Sequence, residues 1–471
     1  MDVELLSRIQ FGGTIAFHYL FPPLSIGLGL LLVMMEAAYL CTGDEKYWRM
    51  LRFWTTIFGL IFGIGVATGI VMEFQFGTNW ASYSRFVGDV FGSALAAEGI
   101  FAFFLESGFL AVLLFGWNKV PKSVHFLSTC MVCLGAHFSA VWIVVANSWQ
   151  QTPAGYHIVD VTREIDGAQT VVGQRAEITD FWAVVFNPSS VDRLIHVTLG
   201  AYLAASFLVL SVSAFYLLKG RHRDVAISSM KLALALAVFA STAQLISGHS
   251  SANVVAEHQP AKLAAFEGLY KTQTGAPGYV FGWVDEENER VVGPGIPGLL
   301  SWLVGFDTAT EVTGLDQFAP EDRPPVQAVF QFFHLMVAIG TALIAISWIA
   351  LGLSLNGALF TAKGWISRGF LWLLVFAVLL PQIANQAGWF AAEIGRQPWI
   401  VYNELRTSDG LSSPDVVSAE HVLTSLALFG VIYSMLFVLF IYLLDRKIRK
   451  GPQAGTVSEG GAKRHTTTEG E

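Results

Sequence analysis

The chain has 471 residues, of which 54% are hydrophobic and 14% charged, with a mean hydropathy of +0.54 and a formal net charge of −8. Such a balance excludes a soluble globular protein of this length, which would carry far more charge, and a nucleic-acid binder, which would be basic. Three cysteines, Cys41, Cys130 and Cys133, exclude a disulfide framework.

Taken in chain order, the apolar segments predict nine membrane-spanning helices near residues 12–40, 52–76, 93–116, 126–147, 194–217, 228–248, 326–353, 369–389 and 421–444. Each meets the need for about 20 residues to cross the hydrocarbon core as helix. Barrel strands would be about half as long and would alternate, so the expected fold is all-α, a polytopic membrane bundle. The first span has acidic residues Asp2 and Glu4 before it and no basic leader, so it reads as a retained span.

Polar residues in these spans carry the information. His18 lies in the first span, Glu73 at the end of the second, and Glu98 and Glu106 in the third. The fourth holds Cys130-Met-Val-Cys133, read as small-residue packing because no second cysteine pair completes a metal site. His196 lies in the fifth span, Met336 in the seventh, and Glu393 just past the eighth. Ionisable groups in hydrocarbon are costly and mark cofactors, ion paths or paired structural sites.

Lysine and arginine gather after odd-numbered spans and in the C-terminal tail, as in Lys219, Arg221, Arg223 and Arg446, Lys447, Arg449, Lys450. The positive-inside rule then places the N-terminus outside and the C-terminus in the cytoplasm. In that orientation His18, Glu98, His196 and Met336 lie within about three turns of the outer surface, with Glu106 about two turns deeper than Glu98. The order divides the chain into spans one to six (1–248), an outer loop (249–325), spans seven to nine (326–450) and a Gly/Thr/Glu-rich tail (451–471) expected to be disordered. A loop as long as 249–325 reads as functional.

A histidine and a methionine are an axial pair for six-coordinate haem. Singly, each residue has a plainer reading: Met336 fills a gap, Glu393 pairs with Arg396 three residues on, and His18 is a satisfied structural histidine. The residues alone leave open a haem oxidase, a haem-bearing quinone dehydrogenase anchor and a proton-coupled transporter. The transporter predicts broken helices and inverted repeats, and the sequence displays neither. No adjacent His-His pair is present to help hold copper, which disfavours a haem–copper oxidase.

Four strings carry a resemblance: Ser7-Arg-Ile-Gln-Phe, Met72-Glu-Phe-Gln-Phe-Gly-Thr-Asn-Trp80, Glu98-Gly with Phe103-Phe-Leu-Glu106-Ser, and Gly388-Trp-Phe-Ala-Ala-Glu-Ile-Gly-Arg-Gln-Pro-Trp399. From Leu6 to about Leu444 the chain resembles subunit I of cytochrome bd-type quinol oxidases. The resemblance implies a terminal respiratory oxidase subunit of the bacterial cytoplasmic membrane that oxidises quinol, reduces dioxygen to water and builds a proton gradient without pumping. It implies His196 and Met336 as ligands of a low-spin haem b, and His18 and Glu393 as ligands of two high-spin haems, one b and one d, or a further b in place of d. Glu98 matches the carboxylate beside the oxygen-reactive haem, Glu106 and Ser139 the proton route, Trp389 the aromatic between haems, and Arg396 a haem-pocket cation. Lys262 and Glu267 match a quinol-contacting pair, whose plain alternative is an exposed helical salt bridge. The implied partners are a second large membrane subunit, subunit II, and in some relatives a small single-span one.

Two departures stand out. Members often place arginine two residues before the ligand methionine, whereas this chain has His334, a titratable group and a further candidate ligand. The outer loop also resembles the short version, shared by some cyanide-insensitive relatives.

Overall fold

The computed structural model describes residues 2–100, 104–165, 168–413 and 415–453, with the side chains of Glu73, Phe104, Leu105 and Ile165 outside that description. Most of the expected tail, 454–471, also lies outside the described residues.

Helices α1 (Val3–His18) and α2 (Pro22–Thr42) form one broken first span. Pro22 and Pro23 cause the break, because neither has an N–H to continue the helical ladder. Gly43 in the left-handed region closes α2, and the Asp44 carboxylate accepts from Lys46 N at 2.9 Å to open α3 (Glu45–Thr78). There follow α4 (Ala81–Phe86), α5 (Gly88–Glu98), α6 (Phe104–Phe115), α7 (Lys122–Gln151), α8 (Phe181–Val185), α9 (Ser190–Lys219), α10 (Arg223–His258), α11 (Pro260–Glu267) and α12 (Leu299–Gly305). Then come α13 (Val326–Leu355), α14 (Ala358–Thr361), α15 (Trp365–Phe376), α16 (Leu379–Ile394) and α17 (Ala419–Lys450).

Seven helical stretches among the described residues are long and apolar enough to cross a membrane, and the pair α15–α16, bent by 40°, makes an eighth. The expected third span falls on α5 and α6, with residues 101–103 between them outside the described residues. This is a multi-pass membrane protein. One expectation is corrected, that of unbroken helices, since the first and eighth spans are broken; the fold is mostly helical, as expected, with short strand pairings in its loops. A hairpin of β1 (Tyr156–Ile165) and β2 (Ala168–Ile178) stands on the loop after α7, its register running from Tyr156 opposite Ile178 to Ile165 opposite Ala168. Short two-stranded pairings also occur within the 249–325 segment and between Trp399–Val401 and Leu405–Arg406.

α9 is the central helix, packed by α2, α7, α10, α15 and α16. From Leu199 to Leu217 most of its apolar residues are buried on every face, whereas α17 leaves Leu428, Val431, Met435 and Val438 exposed, as a peripheral helix would. The 249–325 segment builds a small core of its own from Leu263, Phe266, Leu269, Val284 and Leu315, seated on Val329 and Phe330 of α13. The basic loops meet at one end of the bundle: Arg49 pairs with Asp224, Arg221 donates to Arg449 O at 2.8 Å, and Arg223 donates to Phe360 O at 2.5 Å. At the other end Gln150 donates to the Tyr83 hydroxyl at 2.7 Å, and the Tyr156 hydroxyl donates to Glu404 at 2.5 Å.

Candidate functional site

Helix α16 is where the predicted residues converge. Its first contact is with the break in the first span. There Leu20 N bonds Phe17 O instead of continuing the α ladder, which frees Ala16 O, and the Gln386 amide donates to that carbonyl at 2.8 Å. Gln382 reaches Leu20 O at 3.5 Å. Two glutamines of α16 thus replace the backbone donors lost at the break, which hydrocarbon would otherwise leave unsatisfied.

His18 is the last residue of α1, against α3. The Thr68 hydroxyl bonds the carbonyls of Ile64 and Gly65 at 3.0 Å, so its oxygen is left to accept from His18 Nδ1 at 2.9 Å. That tautomer leaves Nε2 with a bare lone pair, the form an axial ligand requires. Gly69 sits under the ring, where an added Cβ would lie 3.1 Å from His18 Cε1. The neighbouring Tyr19 meets Trp389 of α16 edge-on at 5.4 Å.

Trp389 also carries the Arg193 guanidinium, 5.5 Å from its centroid. Arg193 lies one turn before His196 on α9. His196 Nδ1 is 3.0 Å from the Ser247 hydroxyl, and its Nε2 is 2.9 Å from the Gln244 amide nitrogen, both on α10. Met336, on α13, lays its sulfur over Gly388, where an added Cβ would be 2.7 Å from Sδ. Trp389 therefore stands between the surroundings of His18 and those of His196, and Met336 touches the residue beside it.

Glu393 ends the same helix. One carboxylate oxygen accepts from Arg396 at 2.5 Å, and the other accepts from Asn147 and Gln151 at 3.1 Å with Arg193 at 3.9 Å. The expected Glu393–Arg396 pair forms, inside a larger cluster. Arg396 is 6% exposed, yet its Nε and Nη1 find no partner among the described residues, and neither does Arg193 Nε. Buried guanidinium donors without acceptors are expensive, and haem propionates are acceptors of the right charge. A flat-lying glycine beside each of His18 and Met336, a poised imidazole and surplus buried cations fit a haem-bearing protein. Among the described residues no cluster of three or more His, Cys, Asp or Glu is arranged to hold a bare ion; the donors stand singly, as axial ligation needs when a porphyrin supplies the rest.

Helices α5 and α6, which carry Glu98 and Glu106, pack against α7. Ser139 donates to Glu98 at 2.5 Å, so these two are brought together. Glu106 is 7% exposed on α6, and its Oε1 has no hydrogen-bond partner among the described residues.

Lys262 and Glu267 do not form the exposed salt bridge of the plain alternative. Both are buried on α11, and no ion pair joins them among the described residues. The Lys262 ammonium donates to the Gln151 amide oxygen, and to that of Gln259 at 2.5 Å. Burial holds its pKa well below the usual lysine range, with Arg193 adding to the effect and Glu393 opposing it. Burial raises the Glu267 carboxyl to about 7. Through Gln151, which bonds both Lys262 and Glu393, this pair joins the α16 cluster.

His334 is half-buried between two backbone carbonyls. Its Nδ1 lies 2.9 Å from Phe330 O and its Nε2 2.9 Å from Tyr279 O, and a neutral ring can donate to one of these carbonyls at a time. The Cys130/Cys133 run behaves as packing, with buried Cys133 against Gly29 of α2.

Arg193, Asn147, Gln151 and Thr68 were not singled out from sequence. Arg193 had a signal, an arginine one turn from a candidate ligand on the same helix face; the partners on α3 and α7 become visible only on folding.

The sequence pattern of cytochrome bd terminal oxidase subunit I matches residues 6–452. The chain belongs to that family. It is 38% identical to cytochrome bd ubiquinol oxidase subunit 1 of Bacillus subtilis over 465 residues, covering 96% of this chain and 95% of the relative. It is 35% identical to cytochrome bd-II ubiquinol oxidase subunit 1 of Escherichia coli, covering 96% and 98%. The bd oxidase structure from Geobacillus thermodenitrificans superposes with a TM-score of 0.85 at 31% identity, covering 96% of this chain and 99% of that one. Family membership makes the chain a haem-bearing subunit of a multi-subunit terminal oxidase, and it removes the transporter reading even though broken helices are present.

Proposed function

We propose that this chain oxidises membrane quinol at the 249–325 segment and reduces dioxygen to water in the pocket around α16, as the haem-bearing subunit of a terminal quinol oxidase. The observation that carries the reading is the convergence on α16 of His18, through Tyr19 and Trp389, of His196, through Arg193 and Trp389, and of Met336, through Gly388. Bound haem supplies electron transfer and oxygen chemistry. His196 and Met336 would hold a low-spin haem b; His18 and Glu393 would hold the two high-spin haems, b and d or b alone. Arg193 and Arg396 would neutralise their propionates.

The chain's own residues organise the protons. Lys262 and Glu267 flank quinol, and Glu267 takes one of its protons. Glu106, then Ser139 and Glu98, pass protons toward the oxygen pocket. With nine spans, the N-terminus outside and the C-terminus inside, protons are released on one face and taken up from the other, so a gradient forms without a pump. Relatives named for ubiquinol and for menaquinol both match this chain, so the substrate is given by class. The protein belongs in the bacterial cytoplasmic membrane beside a second large subunit, with a small single-span subunit as a further partner. The optical spectrum of the purified complex tests the reading: one low-spin b signal plus oxygen-sensitive high-spin signals are expected, and the absence of any oxygen-sensitive haem would overturn it.

Lys262→Ala and Glu267→Ala should each slow quinol oxidation while sparing turnover with an artificial reductant that bypasses the loop. A parallel fall in both activities would mean damage to the fold and not to a quinol site. The pH dependence has a definite sign. A carboxyl raised to about 7 is mostly protonated below that pH and cannot accept a proton from quinol; above it, the carboxylate can. Quinol-driven turnover should therefore rise from pH 6 to 8 in wild type, and this rise should flatten in Glu267→Gln while the bypass activity keeps its own profile.

A further inference from the structure

A second buried acid sits at the basic-loop end of the bundle. Glu36 of α2 is 3% exposed, and His125 of α7 is 5% exposed. His125 Nδ1 lies 2.7 Å from Glu36 Oε1, and the Thr129 hydroxyl donates to Oε2 at 2.5 Å. His125 Nε2 is buried without a partner among the described residues. The imidazole leans on Trp117 at 4.3 Å, whose ring lies 5.3 Å from the Arg52 guanidinium of α3. The remaining charged or titratable neighbours are Lys122, over the Tyr39 ring of α2, and Cys130, within electrostatic reach of Glu36. With Nδ1–H given to Glu36, the bare Nε2 is a proton acceptor.

This pair lies on a continuous face. His125, Thr129 and Cys133 recur at helical spacing along α7. Cys133 packs over Gly29, two turns along α2 from Glu36, and lies within electrostatic reach of Glu106. Ser139, about 21 Å from His125 at 1.5 Å per residue, is on Glu98.

We propose that His125 and Glu36 form a proton-loading station that supplies Glu106 from the basic-loop end of the bundle. Nε2 accepts a proton from water while Nδ1 gives its own to Glu36 Oε1; Thr129 keeps Oε2 occupied. One proton has moved and no electron has; once Glu36 has passed it on, the ring returns to its first tautomer by releasing its Nε2 proton to water while Nδ1 takes up another. The inference rests on the reading of Glu106 as a proton carrier.

The test uses the purified oxidase complex in vesicles, with Glu36→Gln, His125→Gln and Glu106→Gln measured together for haem spectrum, oxygen consumption and its H2O/D2O ratio. Glu36→Gln and His125→Gln should keep their haems and lose at least about fivefold in turnover with quinol and bypass reductant alike, with a raised isotope ratio as proton delivery becomes limiting. If one fails to assemble, the other decides. Normal turnover and isotope ratio in these two beside an impaired Glu106→Gln would overturn the station and leave the Glu106 reading standing. Normal behaviour in all three would remove both. Loss of haem in both station variants would show a clamp between α2 and α7, and would also overturn the inference.

Discussion

Glu106→Gln should leave the haems assembled and reducible while oxygen consumption falls at least about tenfold, a barrier increase near 1.4 kcal/mol. The replacement keeps the size of the side chain and its capacity to hydrogen-bond, and removes only the ability to carry a proton. Glu106 is buried on α6, with an oxygen that no described residue satisfies. A carboxyl retained for packing would be better replaced by an apolar residue at that depth. Proton uptake by reconstituted vesicles separates this effect from slow electron delivery, since reduction of the haems should proceed normally. Wild-type turnover and uptake in the variant would mean that protons travel elsewhere, and the role given to Glu106 would be withdrawn.

Met336→Leu should convert one b haem to high spin or lose it, with the oxygen-site signals largely kept. Leucine preserves the volume over Gly388 and removes the thioether. The reduced-minus-oxidised spectrum reads the result directly. An unchanged low-spin band would exclude Met336. His334 would then be the next candidate, and ligation would require its ring to leave the carbonyls of Phe330 and Tyr279. Gly388→Ala offers an independent check: the added methyl would fall 2.7 Å from the sulfur, so the same band should shift without any ligand being removed.

The sequence made the helical membrane bundle legible because hydrocarbon imposes one rule on every span, about 20 apolar residues in helical form. It also marked His18, His196, Met336, Glu98, Glu106 and Glu393, since polar groups stand out in apolar segments. The long hairpin was missed despite a signal: Asp166-Gly167 lies between two alternating runs, a favoured hairpin dipeptide. The breaks were missed for a different reason. Pro22-Pro23 was visible, but hydropathy averages over residues and does not register a lost donor. Lys262 shows the limit of local spacing. On a helical wheel it is a surface lysine; only tertiary packing of the 249–325 segment against α13 and α16 takes it out of water and onto Gln151.

The substitution of glutamine amides on α16 for the missing main-chain donors at the first break has a temporal meaning. Ala16 and Leu20 precede their donors Gln386 and Gln382 by 370 and 362 residues, so they leave the ribosome long before α16 does. Until the eighth span arrives, the carbonyls next to His18 have no such donors, and the pocket lacks the wall that carries Trp389 and Gly388. A site assembled from segments so far apart in the chain cannot close until α16 has been made, so prosthetic-group capture is expected to come late. Truncated nascent chains ending before α16 should accordingly remain colourless.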